Sequence, residues 1–267
     1  LNLSNNLKNK IHGKNICMHI CSNNLESILG YIAFMRKPNL VTLLVDQTFK
    51  KKFIDKIIRL YKPQYIFASN SLNFNNYHTV DEIHSFNLLK SSIKFKDKIE
   101  KLNYLLLPTS GTTQSPKFVR LSKKNLLINS KQIIKTLKIK KNHTTITTMP
   151  MGYSYGLSII NTHLLSGAKI VLNKKTIFEA EFWNKIFRKK INSFGGVPEF
   201  YDYLKKIKFG SKKLISLKYI TQAGGRLDLE TINYLEKVCR DKKIKLFKMY
   251  GQTEASPRIS ILEWRDF

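Results

Sequence analysis

The 267 residues include 42% hydrophobic, 11% aromatic and 24% charged side chains, which suits a folded globular chain and excludes a disordered, collagen-like or coiled-coil one. Lys and Arg number 47 against 18 Asp and Glu, a formal charge of +29. Of these cations 39 are Lys and 8 are Arg, spread along the chain; base readout and phosphate forks favour Arg, so the expectation is weak, salt-sensitive attraction to polyanions and no specific nucleic-acid binding.

No apolar run reaches the roughly 18 residues of a membrane-spanning helix. The polar start, Leu1 to His12, carries no secretory signal. Both features point to a cytoplasmic protein, and a Leu start points to a chain whose natural N-terminus lies upstream. The first elements alternate: a strand over Ile16–Ile20, a helix over Leu25–Met35, a Val/Leu strand over Leu40–Val45, a helix near Lys51–Tyr61 and a short strand over Tyr65–Ala68. Such alternation predicts a parallel sheet with crossover helices. Cys17 and Cys21, with His19 between them, have a spacing open to metal. No second ligand pair follows, so they read better as core residues of the first strand, and with Cys239 they make no disulfide framework. Asn70–Ser92 is polar and reads as irregular.

A second series opens with the strand Tyr104–Pro108 and a Ser/Thr/Gly loop. Ser122 is a plausible N-cap for a helix over Lys123–Lys138. Further strands are predicted at Thr144–Met149, Lys169–Leu172, Ile191–Phe194, Tyr219–Gln222, Ile244–Lys248 and Arg258–Leu262. Helices are predicted near Leu157–Leu165, Glu179–Lys190, Glu199–Lys206 and Asp228–Arg240. The expected fold class is α/β: two packed subdomains, 1–141 and 142–267, with mostly parallel sheets and helices on both faces.

The loop after Tyr104–Pro108 reads Thr109-Ser110-Gly111-Thr112-Thr113-Gln114-Ser115-Pro116-Lys117. Backbone N–H groups in such a turn can form an anion nest, hydroxyls can donate to phosphate oxygens, and Lys adds a point charge. It is not a Walker A loop, since Pro116 precedes Lys117 and Phe118 follows it. It resembles the phosphate-binding signature Thr-Ser-Gly-Ser/Thr-Thr-Gly-x-Pro-Lys of the adenylate-forming superfamily. That group holds the acyl- and aryl-CoA synthetases, nonribosomal peptide synthetase adenylation domains and luciferases. The departure is Gln114 in place of Gly.

Other segments follow in the family's order. Pro150-Met-Gly-Tyr153-Ser154-Tyr-Gly156 is similar to its Pro-x-x-His-x-x-Gly segment, with Tyr153 for His. Gly196-Val-Pro198 resembles its Val-Pro turn, and Ala223-Gly224-Gly225 its adenine-side strand end. Tyr250-Gly251-Gln252-Thr253-Glu254 matches Tyr-Gly-x-Thr-Glu throughout.

The resemblance covers about Asn15 to Leu262 and only the family's N-terminal domain. It implies ATP-dependent activation of a carboxylic acid as acyl-AMP, with pyrophosphate released and a thioester then made on CoA or a phosphopantetheine carrier protein. It further implies that Thr109–Lys117 holds the leaving phosphates and Glu254 binds Mg²⁺. Thr253 would donate to the α-phosphate, and Tyr250 would stack on adenine beside Ala223, Gly224, Gly225, Gly251 and Gln252. Tyr153 would stand near the reacting carboxylate, with Ser154, Gly156 and Gly225 lining the acyl pocket; Leu157–Leu165 and Ala223–Leu227 are expected to add to its wall. Lys117, Tyr153, Thr253 and Glu254 are thus the expected catalytic set. No acid stands near Tyr153 to pair an ammonium, which favours a fatty, aryl or other organic acid over an α-amino acid. The family's ribose-binding Asp, hinge and C-terminal domain do not occur before Phe267, so the expectation is a fragment impaired on its own. A non-catalytic nucleotide-binding remnant and a basic nucleic-acid-binding protein are the competing readings.

Overall fold

The computed structural model describes residues 2–93, 104–109 and 117–263. Its first unit comprises Leu1–Leu126 with Met151–Tyr153. There β1 (Asn15–Cys21) lies between β2 (Leu40–Asp46) and β3 (Tyr65–Ser69), parallel to both. A strand so flanked, with helices on the sheet's faces, has no wet side. All seven residues of β2 are accordingly buried. The sheet also takes β4 (Tyr77–Ile83), β5 (Phe86–Ser91), β6 (Tyr104–Pro108) and β7 (Phe118–Ser122), in the order β4-β5-β3-β1-β2-β6-β7. Helices α1 (Asn2–Lys10), α2 (Leu25–Arg36) and α3 (Lys51–Tyr61) complete the unit. Asn24 caps α2, its side chain accepting from the N–H of Ser27 at 2.9 Å.

One helix had no expectation from the sequence, and two expectations need correction. The polar start is the helix α1, held by burial of Leu7, with Ile11 just beyond it also buried. Asn70–Ser92 is largely the antiparallel β4–β5 hairpin, turning at His84 with φ 50°. A register shift between Thr79 and Asp81 explains the miss: a bulge advances the phase of the strand. Tyr77, Val80 and Ile83 therefore recur every third residue and hide the period of two. Finally, Phe118–Ser122 is a strand, antiparallel to β6.

Cys17 and Cys21 lie in β1 as buried thiols, and burial pushes both up in pKa. His19 is fully buried against Phe34 and Phe67, and burial pushes it down to about 3. Among the described residues no group of three His, Cys, Asp or Glu could hold a metal ion. No described helix is long and apolar enough to cross a membrane.

The second unit comprises Leu127–Pro150 and Ser154–Phe267. Its sheet runs β13-β12-β11-β10-β8-β9, built from β8 (Thr144–Ile146), β9 (Lys169–Val171), β10 (Ser193–Gly196), β11 (Tyr219–Gln222), β12 (Lys245–Tyr250) and β13 (Ser260–Glu263). All pairs are parallel except β12–β13. The helices are α4 (Lys123–Leu137), whose first turn belongs to the other unit, α5 (Ser154–Leu165), α6 (Ala180–Arg188), α7 (Pro198–Lys206) and α8 (Leu229–Asp241). Phe182, Phe194, Tyr201, Phe209 and Leu235 lie in its main core.

Two helix starts follow from sequence chemistry. Pro198 opens α7, where its missing N–H costs nothing. Asp228 caps α8, accepting from the N–H of Thr231 at 2.8 Å. That bond holds its carboxyl down at about 2. A depressed carboxylate stabilises the fold above its unfolded pKa and loses that contribution as pH falls through the folded value. Asn caps equally well without the charge. The melting temperature of Asp228→Asn is therefore expected to lie below wild type at pH 6 and to converge with it between about pH 4 and pH 2.

Candidate active site

The ends of parallel strands are where an open α/β sheet receives ligands, since the loops there leave backbone groups unpaired. In the second unit β10, β11 and β12 end side by side, Gly196 opposite Gln222 and Gln222 opposite Lys248. Each runs into one of the motifs: Val197-Pro198, Ala223-Gly224-Gly225, and Gly251-Gln252-Thr253-Glu254.

The glycines here answer to close approach. A Cβ on Gly195 would meet the Tyr155 hydroxyl and come within 2.8 Å of Thr221 Oγ1; one on Gly196 would strike the Phe200 ring. Gly224 has φ +91°, a conformation that favours glycine. Gln222 closes the turn, Nε2 donating to the Gly225 carbonyl at 2.8 Å, and Gly224 and Gly225 stay exposed. Ala223 is buried, its N–H donating to Gly196 at 3.2 Å.

Beyond β12, Tyr250 stands 63% exposed, as a face offered for stacking requires. Thr253–Ala255 make one 3₁₀ turn. Thr253 is buried and its Oγ1 donates to Ser154 Oγ at 3.2 Å; Gln252 and Glu254 are exposed. Ser154 is the first residue of α5, where helical N–H groups lack intrahelical acceptors and favour an anion. The chain enters that turn tightly, for a Cβ on Gly156 would collide with the Pro150 carbonyl. One threonine thus ties the Tyr-Gly-Gln-Thr-Glu turn to the positive end of a helix, beside an open Gly-Gly turn.

The first unit carries the remaining predicted residues. Thr109 and Lys117 flank the β6–β7 connection, the N–H of Thr109 donating to the Lys117 carbonyl at 3.3 Å. Lys117 is exposed. Ser110, Gly111, Thr112, Thr113 and Gln114, with Ser115 and Pro116, lie outside the described residues. Tyr153 is half-buried, and a Cβ on its neighbour Gly152 would come within 2.8 Å of the Asp46 backbone nitrogen at the end of β2.

Two side chains beside this site went unremarked in the sequence. Arg258 is 8% exposed; its Nη2 donates to Ser158 Oγ at 3.0 Å and its guanidinium lies 4.2 Å from the Tyr155 ring centroid. Asn129 holds its backbone, donating to the Arg258 carbonyl at 2.7 Å. The only sequence signal was an Arg in a Lys-dominated chain, shortly after Glu254. His163 is buried on α5, Nδ1 bonded to the Ile159 carbonyl at 2.8 Å, and burial pushes it down to about 4.

A sequence profile of the AMP-binding enzyme family matches residues 2–266. The chain belongs to that family. Among its relatives, the acyl-CoA synthetase FUM10 of Gibberella moniliformis is 27% identical over 158 residues, 58% of this chain and 27% of that protein. The D-alanine–D-alanyl carrier protein ligase of Listeria welshimeri is 26% identical over 163 residues, 59% of this chain and 31% of that one. The o-succinylbenzoate coenzyme A synthetase of Bacillus subtilis, solved with ATP and magnesium, superposes with a TM-score of 0.76 at 16% identity, covering 98% of this chain and 56% of the other. At that identity the likeness is one of fold. The matched stretches make up about a third or less of the curated relatives, and the chain spans about half of the solved synthetase.

Proposed function

We propose that this chain supplies the nucleotide-binding and acid-binding part of an AMP-forming ligase. Such an enzyme joins a carboxylic acid to the α-phosphate of ATP, releases pyrophosphate, and passes the acyl group to the thiol of CoA or of a carrier protein's phosphopantetheine. The observation that carries the reading is the Thr253–Ser154 hydrogen bond, which ties a hydroxyl just beyond β12 to the N-terminus of α5, while the exposed Gly-Gly turn follows the neighbouring strand β11.

The chemistry asks for positioning and charge neutralisation, because the attacking carboxylate is already ionised at neutral pH. Tyr250 offers its exposed ring to the adenine, with Ala223, Gly224 and Gly225 letting the base approach the backbone. Thr253, Gly251 and Gln252 hold the α-phosphate side. Thr109 and Lys117, with the loop between them, take the departing phosphates, Lys117 as a point charge. Tyr153 orients the acid, and Ser154, Gly156 and Gly225 border its path. Glu254 is exposed on a turn pinned by Thr253, and its carboxylate suits a hard cation such as Mg²⁺. That ion, when bound, neutralises phosphate charge.

Calorimetric titration with MgATP tests the assignment. Wild type is expected to bind saturably, and Glu254→Ala and Lys117→Ala each to weaken binding about tenfold or more, in line with loss of a charge-assisted contact. Unchanged affinity in both variants would contradict it.

A further inference from the structure

One surface of the second unit interleaves aromatic rings with cations. On α6, Phe182 and Ile186 enter the core. Trp183 and Phe187, each one position further on, share another side of the helix at the i,i+4 spacing. Trp183 is partly buried against that core, and Phe187 is 43% exposed. The Trp183 indole N–H donates to the Ile177 carbonyl at 2.7 Å, which holds the chain before α6 against the helix. The next residue, Phe178, is 61% exposed and rests edge-on against Tyr203 of α7, with ring centroids 5.3 Å apart. Tyr203 is itself 42% exposed.

Three of these rings carry an ammonium over the face. Lys206 Nζ lies 5.4 Å from the Tyr203 centroid, Lys212 Nζ 5.6 Å from that of Trp183, and Lys213 Nζ 4.0 Å from that of Phe187. The ion pairs among the described residues include none of these three lysines. Residues 183–190 and 203–213 hold nine Lys or Arg in 19 positions and no Asp or Glu, against 47 Lys or Arg in the 267 of the whole chain. The positive charge is therefore concentrated here well beyond the average of a basic chain.

The ring–cation pairs discriminate among anionic partners. Bases of a nucleic acid stack on open aromatic faces, and these faces already carry an ammonium. Phosphate forks and protein interfaces favour Arg over Lys, and eight of the nine cations are Lys. A bilayer with anionic headgroups asks for no fork. It takes point charges at headgroup level, with apolar side chains reaching just below them. Exposed Phe178 and Phe187 beside Lys206, Lys212 and Lys213 have that make-up.

We propose that this surface docks the chain peripherally on an anionic phospholipid bilayer, with Phe178 and Phe187 entering between the headgroups. The attachment is separate from the nucleotide-binding reading and stands or falls without it.

The test is flotation of the full chain with vesicles of phosphatidylcholine, alone or with about 30% phosphatidylserine, in about 0.15 M salt. Wild type is expected to bind the anionic vesicles at least about tenfold tighter than the neutral ones. The triple variant Lys206→Gln, Lys212→Gln, Lys213→Gln is expected to lose about tenfold of that affinity, and Phe178→Ser with Phe187→Ser about fivefold. Lys131→Gln, Lys140→Gln, Lys141→Gln removes the same charge from exposed positions elsewhere in the unit and is expected to change binding less than about twofold. Equal losses in the two lysine triples would reduce the effect to general attraction and overturn the proposal. So would full binding by the Phe variant, or no binding of anionic vesicles by wild type. Tighter binding of a thymidine oligonucleotide than of the vesicles, lost in the first triple, would make the surface a nucleic-acid one instead. Should the Phe variant not fold, the two lysine triples decide.

Discussion

Gly251→Ala is expected to destabilise the chain by about 3 kcal/mol and to weaken MgATP binding at least tenfold. The added Cβ would run into the Pro257 carbonyl oxygen, and would lie 2.8 Å from that carbonyl carbon and 3.1 Å from Arg258 Cα. All three obstacles are backbone, so no rotamer change relieves them; the strand end or the 256–258 segment must shift. Tyr250 and Thr253 sit on either side of Gly251, so the same displacement spoils the stacking face and the hydroxyl that reaches Ser154. Urea denaturation reads the first effect and calorimetry the second. Gln252→Ala, an exposed neighbour, is the control and is expected to change stability by less than about 0.5 kcal/mol. Equal effects of the two variants would show that the turn has no need of the close approach.

Tyr155→Ala is expected to cost about 4 kcal/mol, and Tyr155→Phe about 1.5 kcal/mol. The ring is 2% exposed, supports the Arg258 guanidinium and fills the space above Gly195. Its hydroxyl reaches Thr221, whose carbonyl also accepts from Tyr201 at 2.6 Å. Truncation to Ala removes ring, support and hydrogen bond together; Phe removes only the hydroxyl. Chemical denaturation of the pair separates packing from hydrogen bonding. Similar losses in both would mean that the hydroxyl, not the ring, dominates.

The parallel strands were legible because continuous apolar runs alternate with amphipathic stretches, and the helices over Lys51–Tyr61 and Asp228–Arg240 were located to within a residue. Where the sequence misled, a competing effect hid the period. The bulge in β4 shifted its phase, and α1 is rich in Asn, a poor helix former, and is held by burial of Leu7. Strand β10 was expected at Ile191–Phe194 but runs Ser193–Gly196. Two glycines argue against a strand by propensity; here they make room for the Tyr155 hydroxyl and the Phe200 ring. Helix α5 begins at Ser154, three residues before the apolar run that suggested it.

The motif residues of the candidate site were legible from local order along the chain, and the strand ends of the second unit bring the Ala-Gly-Gly and Tyr-Gly-Gln-Thr-Glu segments together. Arg258 was not legible, because its meaning comes from Ser158, Tyr155 and Asn129, each a hundred or more residues away in sequence. No local pattern announces that a particular arginine will be buried beside a particular turn of helix.

The most direct test of an acyl-adenylate site is amide hydrogen exchange of the chain with and without a non-hydrolysable acyl-sulfamoyl adenosine, which carries the nucleoside and the acyl group in one molecule. Slowed exchange confined mainly to residues 154–158, 222–225 and 250–254 is the predicted result. Binding that leaves those three segments unprotected and slows exchange elsewhere would contradict the placement of the site.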